Sequence, residues 1–564
     1  RQLFDLSHSV FFRVQSLKST INNTEPRVLL VRTLLETALD LTTRSLSSAK
    51  TSQEAAVSES LAKTNGVDEG KNALASAPQL AQSMAARMQS LVSWSSSNHL
   101  MVVFQRQNIN CLSAVYRQSD LVPAQVLKLF QSQNVSKAPF ILPNYGSMNH
   151  DQLLAFLQTV CGISTGAVPN AALQAAKGYS LTADNMLKMI LIYVRIRARV
   201  PVLLMGETGC GKTSLIKFLA AVVGARCEVL NLHAGTTAKD VINAVKQANA
   251  AAATVVPGQP DWAGVWLFLD EINTCDHLGL ITELLCSRSC VGSPLHPRVV
   301  LLAACNPYRR RRRVIAGGAG LQLEQHVLAA RDPLVYRVHP LPEALLDYVW
   351  DYGSLNESDE LVYIGAMARN AGLPNEVLDA VVATISASQR FIRSQYDSCD
   401  VSLRDVKRCI ELMQFFAKHD HRPLPSVRSN KGQAYNPNAA PVVAPSLKHL
   451  ILALGHCYHS RLDTAKLRDQ YRAEVTALMP LSRAWRSPES NSILFLSVLQ
   501  AEQRDWLQRM DVPRGVALNE ALLENVFVMV VCILNRMPVF VVGKPGCSKS
   551  LSMQLIRSSL RGSD

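Results

Sequence analysis

The sequence lacks the long apolar runs that a membrane-spanning helix needs. No stretch of about 18 uncharged apolar residues, the length that indicates a transmembrane helix, occurs in the chain. The two richest stretches both contain arginine: Arg195, Arg197 and Arg199 lie within 189–205, and Arg536 lies within 526–542. We therefore expect no transmembrane span.

We do not expect a secretory leader at the N-terminus. The chain begins with Arg1, and no basic and then apolar segment follows. We predict no signal peptide and interpret the chain as a segment of a longer polypeptide. Its 564 residues suggest roughly three or four domains. Because 48% of the residues are apolar and 18% are charged, a wholly disordered chain is excluded.

The 13 cysteines include no Cys-x-x-Cys pair. Their odd number argues against a full disulfide framework and favours a reducing compartment. The nearest approach to zinc-ligand spacing is the pair Cys286 and Cys290, with His277 upstream. Four-residue spacing on an apolar helix favours packing over zinc binding.

The charge balance is basic, with 58 Lys and Arg against 44 Asp and Glu and a net charge of +14. That balance is compatible with a nucleic-acid-binding protein. The basic residues are scattered, however, and no basic stripe interleaved with aromatic residues is present. The one dense run is 309–313, which we interpret as a solvated loop. A nucleic-acid remodeller is therefore kept only as an alternative.

Residues 1–180 are expected to be mainly helical, with a flexible insert near 46–83 where large apolar residues are scarce. Within this region a strand is predicted at Leu100–Phe104 and a helix at Asp151–Val160. None of these segments carries a recognisable chemical motif.

Residues 181–340 alternate apolar strands with helical patterns, including helices at 184–196 and 212–223, the second ending at Gly224. The predicted strands are Pro201–Met205, Cys227–Leu230, Val265–Leu269, Val299–Ala304 and Val335–Val338. Strands without polar alternation, separated by helices, predict a parallel α/β sheet with helices on both faces.

The remainder is predicted to be mostly helical. Residues 341–524 read as a helical lid and linker, interrupted by a flexible loop near 421–446 that is rich in Pro, Asn and Ser. Residues 525–564 repeat an earlier pattern and are predicted to begin a second module with a helix, a strand at 538–542, a phosphate loop and a helix. The segment at 201–206 recurs at 538–543. The Gly-Cys pair and the Lys-Thr/Ser pair that follow this segment recur with the same spacing.

The first copy of this repeat contains a full phosphate-binding loop, Gly-x-x-x-x-Gly-Lys-Thr, between a predicted strand and a predicted helix. Its glycines let backbone N–H groups surround phosphates, and the helix N-terminus favours anions. Lys212 is expected to reach the β- and γ-phosphates, and Thr213 to bind Mg²⁺. The predicted nucleotide-binding residues are Gly206, Glu207, Thr208, Gly209, Cys210, Gly211, Lys212, Thr213 and Ser214.

Two carboxylates end the buried strand that begins at Val265. Ligands of parallel sheets bind at the carboxyl ends of the strands, where the phosphate loop also lies. We expect Asp270 to hold Mg²⁺, and Glu271 to act as the general base that activates the attacking water. A third strand ends at Asn306, followed by proline. An amide at this position is expected to lie beside that water and sense the γ-phosphate, although the turn alone could favour Asn.

In this order, the phosphate loop, Asp-Glu strand, strand-end Asn and helical lid resemble the AAA+ ATPase family. The resemblance implies that Arg404, in the segment 401–406, reaches the γ-phosphate from the lid as a second sensor. A neighbouring module usually supplies an arginine finger. Arg331 has about the right position to serve as one, and would then act on another module's nucleotide; a surface arginine is an equally good interpretation.

A narrower resemblance is to giant RING-type ubiquitin ligases with a dynein-like core of tandem AAA+ modules. This resemblance rests on the sequence segments 232–237, 304–309, 335–342, 402–406 and 543–550. It implies a cytosolic protein linked to lipid droplets and to the ubiquitylation machinery. The RING and its zinc would lie outside this segment, which lacks the necessary Cys/His clusters. The expected partners are neighbouring AAA+ modules of the same polypeptide.

The second loop would begin another module, of which the Asp-Glu strand is expected beyond residue 564. Its predicted nucleotide-binding residues are Gly543, Pro545, Gly546, Cys547, Ser548, Lys549 and Ser550. Ser548 replaces the last glycine of the motif, and its Cβ is expected to crowd the approach to phosphates.

We therefore predict ATP binding and hydrolysis with Mg²⁺, catalysed by Glu271, Asn306 and Arg404, as the function of the segment. The alternative is a scaffold that bound nucleotide stabilises with little turnover.

Overall fold

The computed structural model describes part of the chain. The described residues are 94, 98–104, 112–122, 124, 127, 142–161, 163, 179–255, 263–308, 336–353, 357–396, 400–419, 445–479, 488–543 and 545–560. They fall into two compact units, divided between residues 353 and 357. The predicted insert at 46–83, the arginines at 309–313 and Arg331 lie outside the described residues, as does most of the predicted loop at 421–446.

The first unit contains α-helices and short strands in alternation. Its strands are β1 (Met101–Phe104), β2 (Leu112–Val115), β3 (Val202–Met205), β4 (Arg226–Asn231), β5 (Val265–Asp270), β6 (Ser289–Cys290), β7 (Ser293–Pro294), β8 (Val299–Cys305) and β9 (Val349–Asp351). Its α-helices are α1 (His150–Cys161), α2 (Ala183–Arg197), α3 (Lys212–Val223), α4 (Ala238–Ala253), α5 (Leu278–Thr282) and α6 (Glu343–Leu346).

Five of these strands form one parallel sheet in the order β4-β5-β8-β3-β9. Strand β8 therefore lies between β3, which leads into the phosphate loop, and β5, which ends in the two carboxylates. The pairing of Leu204 with Ala304 and of Phe268 with Leu302 fixes the register of these three strands. The carboxyl ends of all three consequently meet at one edge of the sheet.

Both faces of the sheet are buried at β3, β5 and β8, which explains why these strands are continuously apolar. Strand β4 is only partly buried and contains Arg226 and Glu228. Along β5, Trp266 and Phe268 pack into one hydrophobic core, and Val265, Leu267 and Leu269 pack into the other. Because side chains alternate between faces along a strand, every residue of such a strand has to be apolar until the strand reaches the edge.

Local signals determine where the flanking helices start and stop. Helix α3 ends at Gly224, which has a left-handed φ of 78° as predicted for a C-terminal stop. Helix α4 begins with a capping box, in which Thr237 and Asp240 satisfy each other's backbone N–H groups. These caps keep the helix ends fixed against the sheet.

Two predicted strands differ from the structure. Residues 336–338, the described part of the predicted strand Val335–Val338, form no strand; the sheet is completed instead by β9, in which Val349 pairs with Leu203. Residues 538–542 likewise form no strand, and Phe540 and Val542 are exposed. A strand requires a neighbour for its backbone hydrogen bonds, and no described residue supplies one here.

The described part of the second unit is helical. Its α-helices are α7 (Glu357–Asn370), α8 (Asn375–Gln395), α9 (Leu403–His419), α10 (Pro445–Cys457), α11 (Ala465–Thr476), α12 (Pro488–Gln508), α13 (Glu520–Leu534) and α14 (Lys549–Ser559). Most of these helices share one hydrophobic core, which includes Ile385, Ile410, Leu450 and Phe495.

Among the described residues, no helix combines the length and the apolar character that crossing a bilayer would require.

Candidate active site

The phosphate-binding loop joins β3 to α3 at the carboxyl edge of the sheet. Gly209 and Gly211 have left-handed backbones, with φ of 75° and 92°, a conformation that glycine adopts without strain. A Cβ placed on Gly211 would meet no atom within 4 Å, so the space in front of this backbone is open. Such a loop leaves room for an anion at the N-terminus of α3.

Lys212 is buried within this loop. Its Nζ donates hydrogen bonds to the carbonyl oxygens of Gly206 at 2.6 Å and Glu207 at 2.9 Å. Only 6% of the residue is exposed. The loop thus holds one positive charge beside its own backbone, and the expected contact of Lys212 with phosphates stays a prediction.

Thr213 and Asp270 are in direct contact. The Thr213 hydroxyl donates to Oδ2 of Asp270 at 2.5 Å, which joins the first turn of α3 to the end of β5. A hydroxyl and a carboxylate at this separation are oxygen ligands of the kind that Mg²⁺ prefers. The two residues predicted to bind the metal are therefore brought together.

Glu271 follows Asp270 in a strained conformation. Its φ of 59° is unusual for a residue other than glycine, and such a backbone costs on the order of 1–3 kcal/mol. The Thr274 hydroxyl donates to the carbonyl oxygens of Glu271 at 2.8 Å and Leu232 at 2.9 Å. This turn positions the carboxylate that the sequence proposes as the base.

Asn306 lies at the end of β8, between the phosphate loop and the carboxylates. The residue is 3% exposed, and its side-chain Oδ1 has no hydrogen-bond partner among the described residues. A buried polar atom without a partner costs free energy unless a ligand or water satisfies it. Asn306 therefore carries an unsatisfied acceptor at this edge of the sheet, which a bound ligand or water would satisfy.

Tyr336 is a contact of the loop that the sequence did not reveal. Its hydroxyl donates to Oε2 of Glu207 and lies 3.5 Å from Oγ1 of Thr208. The residue belongs to the stretch where a strand was wrongly predicted, so no signal marked it. Asn273 was also missed, although it follows Glu271 by only two positions.

Two buried groups near the site are held in their neutral forms. Burial raises the pKa of the Cys305 thiol to about 12, although the Lys212 charge opposes this shift. Burial also raises the pKa of Tyr308 to about 12. Neither group is therefore a nucleophile or base near neutral pH.

Among the residues that the structure describes, no group of three His, Cys, Asp or Glu side chains could hold a metal ion. Burial raises the pKa of both Cys286 and Cys290, as expected for packed thiols. The two residues do not share a helix as expected, because Cys290 lies in β6, but both thiols pack against the same hydrophobic core.

Arg404 lies in the second unit, in the first turn of α9, and is exposed. Its neighbour Asp405 is buried, caps α9 through the backbone N–H of Ser402 at 2.8 Å, and pairs with Arg461 at 2.5 Å. Arg404 itself is thus presented to solvent on a well-anchored helix start. Its predicted role as a sensor stays a prediction.

The second loop repeats the key contact of the first. Nζ of Lys549 donates to the carbonyl oxygen of Gly543 at 2.6 Å, the same contact and distance that Lys212 makes with Gly206. Ser548 has a φ of 57° at the position of Gly211. The serine thus occupies this position with a strained backbone, and its expected crowding of phosphates stays a prediction.

Together, the parallel sheet, the phosphate loop and the carboxylate strand define a P-loop module of the AAA+ class. Residues 179–309 match a family model described as RNF213 AAA domain, and residues 515–564 match a second model with the same description. The chain therefore belongs to the RNF213 (mysterin) family and contains AAA domains like those of its members.

The chain resembles named E3 ubiquitin-protein ligases over most of its length. It is 34% identical to RNF213 of Homo sapiens over 458 residues, or 77% of the chain, and 33% identical to RNF213 of Mus musculus over a similar span. It is 35% identical to rnf213-beta of Danio rerio over 68% of the chain. The matches cover 8% of each relative's length.

Proposed function

We propose that residues 181–340 bind and hydrolyse ATP with Mg²⁺, and that turnover drives conformational change in a core of tandem AAA modules. The observation that carries this proposal is the contact between Thr213 and Asp270 beside the buried Lys212 ammonium. A metal-binding pair and a phosphate-binding charge at one sheet edge serve a nucleoside triphosphate better than any other ligand class.

The residues of the loop would hold the nucleotide. Lys212 neutralises the β- and γ-phosphates, while the backbone N–H groups at the start of α3 donate to their oxygens. Thr213 and Asp270 hold the metal ion. ATP with Mg²⁺ supplies the phosphoanhydride bond whose cleavage releases the free energy for movement.

Glu271 would take the proton of the attacking water, and Asn306 would orient that water through its unpartnered Oδ1. Both act by position, because a general base has to lie within hydrogen-bond reach of the proton that it removes. Arg404 would add a contact to the γ-phosphate from the lid. An arginine finger, for which Arg331 is a candidate, would serve the site of another module.

The second loop would bind nucleotide through Lys549 and Ser550. This is supported by the contact of Lys549 with Gly543, which matches that of Lys212. The loop provides no carboxylate strand within residues 525–564, so hydrolysis is not proposed for these residues.

The ligase activity of the relatives belongs to whole proteins that are far longer than this chain. We propose that the chain serves as a mechanical segment of such a ligase, with zinc-binding and ubiquitin-transferring domains elsewhere in the polypeptide. A cytosolic location, contact with the ubiquitylation machinery and peripheral association with lipid droplets are parts of the same proposal.

One experiment separates hydrolysis from the alternatives. ATP binding and steady-state hydrolysis are measured side by side for the chain as wild type and as Glu271→Gln. We expect both to bind ATP and only the wild type to turn it over, because the substitution removes the base and leaves the phosphate contacts. Equal turnover would exclude Glu271 as the base. Binding without turnover in the wild type would indicate a nucleotide-held scaffold instead.

A further inference from the structure

Asn273 is a buried residue that joins the carboxylate turn to the end of β8. It is fully buried, and its side-chain amide pairs with both backbone groups of Asn306. Nδ2 donates to the Asn306 carbonyl oxygen at 2.9 Å, and the Asn306 N–H donates to Oδ1 at 3.0 Å. One side chain thus reproduces the two hydrogen bonds that a neighbouring strand would make.

These bonds lie just beyond the end of the sheet. Backbone pairing of β5 with β8 stops at Leu269 and Ala303, and the carboxylates and Asn306 follow this point. Without Asn273, the backbone at Asn306 would have no hydrogen bond to the segment that carries Glu271. Asn273 therefore extends the alignment of the two strands into the site.

The main chain of Asn273 is anchored as well. Its carbonyl oxygen accepts a hydrogen bond from the His339 N–H at 2.7 Å, and the His339 carbonyl oxygen accepts one from the Tyr308 hydroxyl at 2.5 Å. His339 also lies 3.0 Å from Oδ1 of Asp276. Two segments that are distant in sequence, 306–308 and the one that contains His339, are thereby held to Asn273.

These bonds restrain the positions of Glu271 and Asn306 relative to each other, although the Asn273 amide contacts neither side chain. Both backbone groups of Asn306 are held by Asn273, which fixes the point from which the side chain with the unpartnered Oδ1 extends. Glu271 is held two residues before Asn273, in a turn that the Thr274 hydroxyl also closes at 2.8 Å. A displacement of about 1 Å between reacting groups costs about 100-fold in rate, so such a constraint matters to catalysis.

We propose that Asn273 is a positioning residue that sets the separation of Glu271 and Asn306 for water attack. The proposal rests on the proposed hydrolysis of ATP at this site. Asn273 contacts neither the phosphate loop nor the Thr213–Asp270 pair through any hydrogen bond given above, so its loss should affect turnover far more than nucleotide affinity. A purely structural asparagine would instead lower stability and affinity together.

The test compares the full chain as wild type, Asn273→Ala, Asn306→Ala and the double variant, with kcat, the ATP dissociation constant and the melting temperature measured for each. We expect Asn273→Ala to lower kcat by about 10- to 100-fold while ATP affinity changes by less than about 3-fold. Because Asn273 acts through Asn306, the double variant should lose little more than Asn306→Ala alone.

Thr384→Val is the matched control. Thr384 is fully buried in α8 of the second unit and donates to the Ala380 carbonyl oxygen at 2.6 Å. Its variant reports the general effect of deleting a buried hydrogen bond, and we expect its kcat to stay at the wild-type value. If Asn273→Ala fails to fold, Asn273→Ser carries the same comparison, because it keeps a polar group at the buried position and its single hydroxyl cannot make both hydrogen bonds to the Asn306 backbone.

The outcomes distinguish the two proposals. If the wild type binds ATP without hydrolysing it, both the proposed hydrolysis and the proposed role of Asn273 in it are wrong. If the wild type hydrolyses ATP and Asn273→Ala does so at the same rate, only the Asn273 proposal is wrong. The same follows from a loss in affinity as large as the loss in kcat, or from additive losses in the double variant.

Discussion

The Thr213 hydroxyl donates a hydrogen bond of 2.5 Å to Oδ2 of Asp270, although the two residues are 57 positions apart. This contact joins the helix that begins at the phosphate loop to the strand that ends in the carboxylates. Because β8 lies between β3 and β5, the residue at the end of β8 is enclosed by the same pair of motifs.

Lys212→Ala should weaken ATP binding at the first loop by about 10- to 100-fold. Hydrogen bonds to charged groups contribute about 1.5–3 kcal/mol each, and the variant removes the only side-chain cation placed in that loop by the contacts described above. Titration with a fluorescent ATP analogue measures the loss. Lys549→Ala is the matched control, since Lys549 makes the equivalent contact in the second loop. If only Lys549→Ala weakened binding, nucleotide would occupy the second loop alone.

Thr213→Val should make nucleotide binding largely independent of magnesium. Valine keeps the shape of threonine and removes the hydroxyl that contacts Asp270, whereas Thr213→Ser keeps a hydroxyl there. We expect the affinity for ATP to rise with magnesium concentration in the wild type and the serine variant but not in the valine variant. A valine variant with the magnesium response of the wild type would rule out Thr213 as a metal ligand.

Tyr336→Phe should raise the ATP concentration needed for half-maximal binding by about 3- to 10-fold. The tyrosine hydroxyl holds the Glu207 carboxylate, and releasing that negative charge beside the phosphates disfavours binding. A double-mutant cycle with Glu207→Gln tests the pair. The tyrosine should matter only while residue 207 is charged, so an unchanged effect in the glutamine background would refute the interpretation.

The second unit should lose stability as the pH falls below neutrality, and His459 should account for part of the loss. Burial, followed by the nearby charges of Arg468 and Arg472, lowers the pKa of His459 from 6.5 to about 3. Its Nε2 faces Nη1 of Arg472 at 3.0 Å, so the folded protein keeps the ring neutral. The unfolded chain takes up the proton below about pH 6.5, and stability that is complete above this pH declines toward pH 3.

The expected slope for this one group is up to about 1.4 kcal/mol per pH unit, or about 2 kcal/mol between pH 7.5 and 5. Urea unfolding of the wild type and of His459→Gln at both pH values measures it. Glutamine keeps an acceptor for Arg472 and does not titrate, so the variant should show the smaller dependence. Identical pH dependence in the two proteins would show that His459 is not the titrating group.

Much of the site could be predicted because its motifs are local in sequence. The spacing of glycines before Lys212 and Thr213 specifies a loop at the start of a helix, and the apolar run before Asp270 specifies a strand buried on both faces. The helix at 183–197 and the stop at Gly224 followed from the same kind of pattern.

The errors came from segments that local composition describes poorly. Residues 335–338, Val-Tyr-Arg-Val, have the composition of a strand, and yet the described part forms none. The short Val349–Asp351 segment pairs with β3 in its place. Strand formation depends on which neighbour offers backbone hydrogen bonds, so composition is a weak guide for such short segments.

The sequence by itself determined the class of the fold, the phosphate loop and the identity of the carboxylates, because each depends on periodicity or on a contiguous motif. Only the tertiary structure decided that Tyr336 contacts Glu207, that Asn273 pairs with the Asn306 backbone, and that β9 completes the sheet. Those contacts join residues that are 33 or more positions apart. Chain folding, rather than local preference, selects such partners, since a hydrogen bond between distant residues leaves no pattern in either segment.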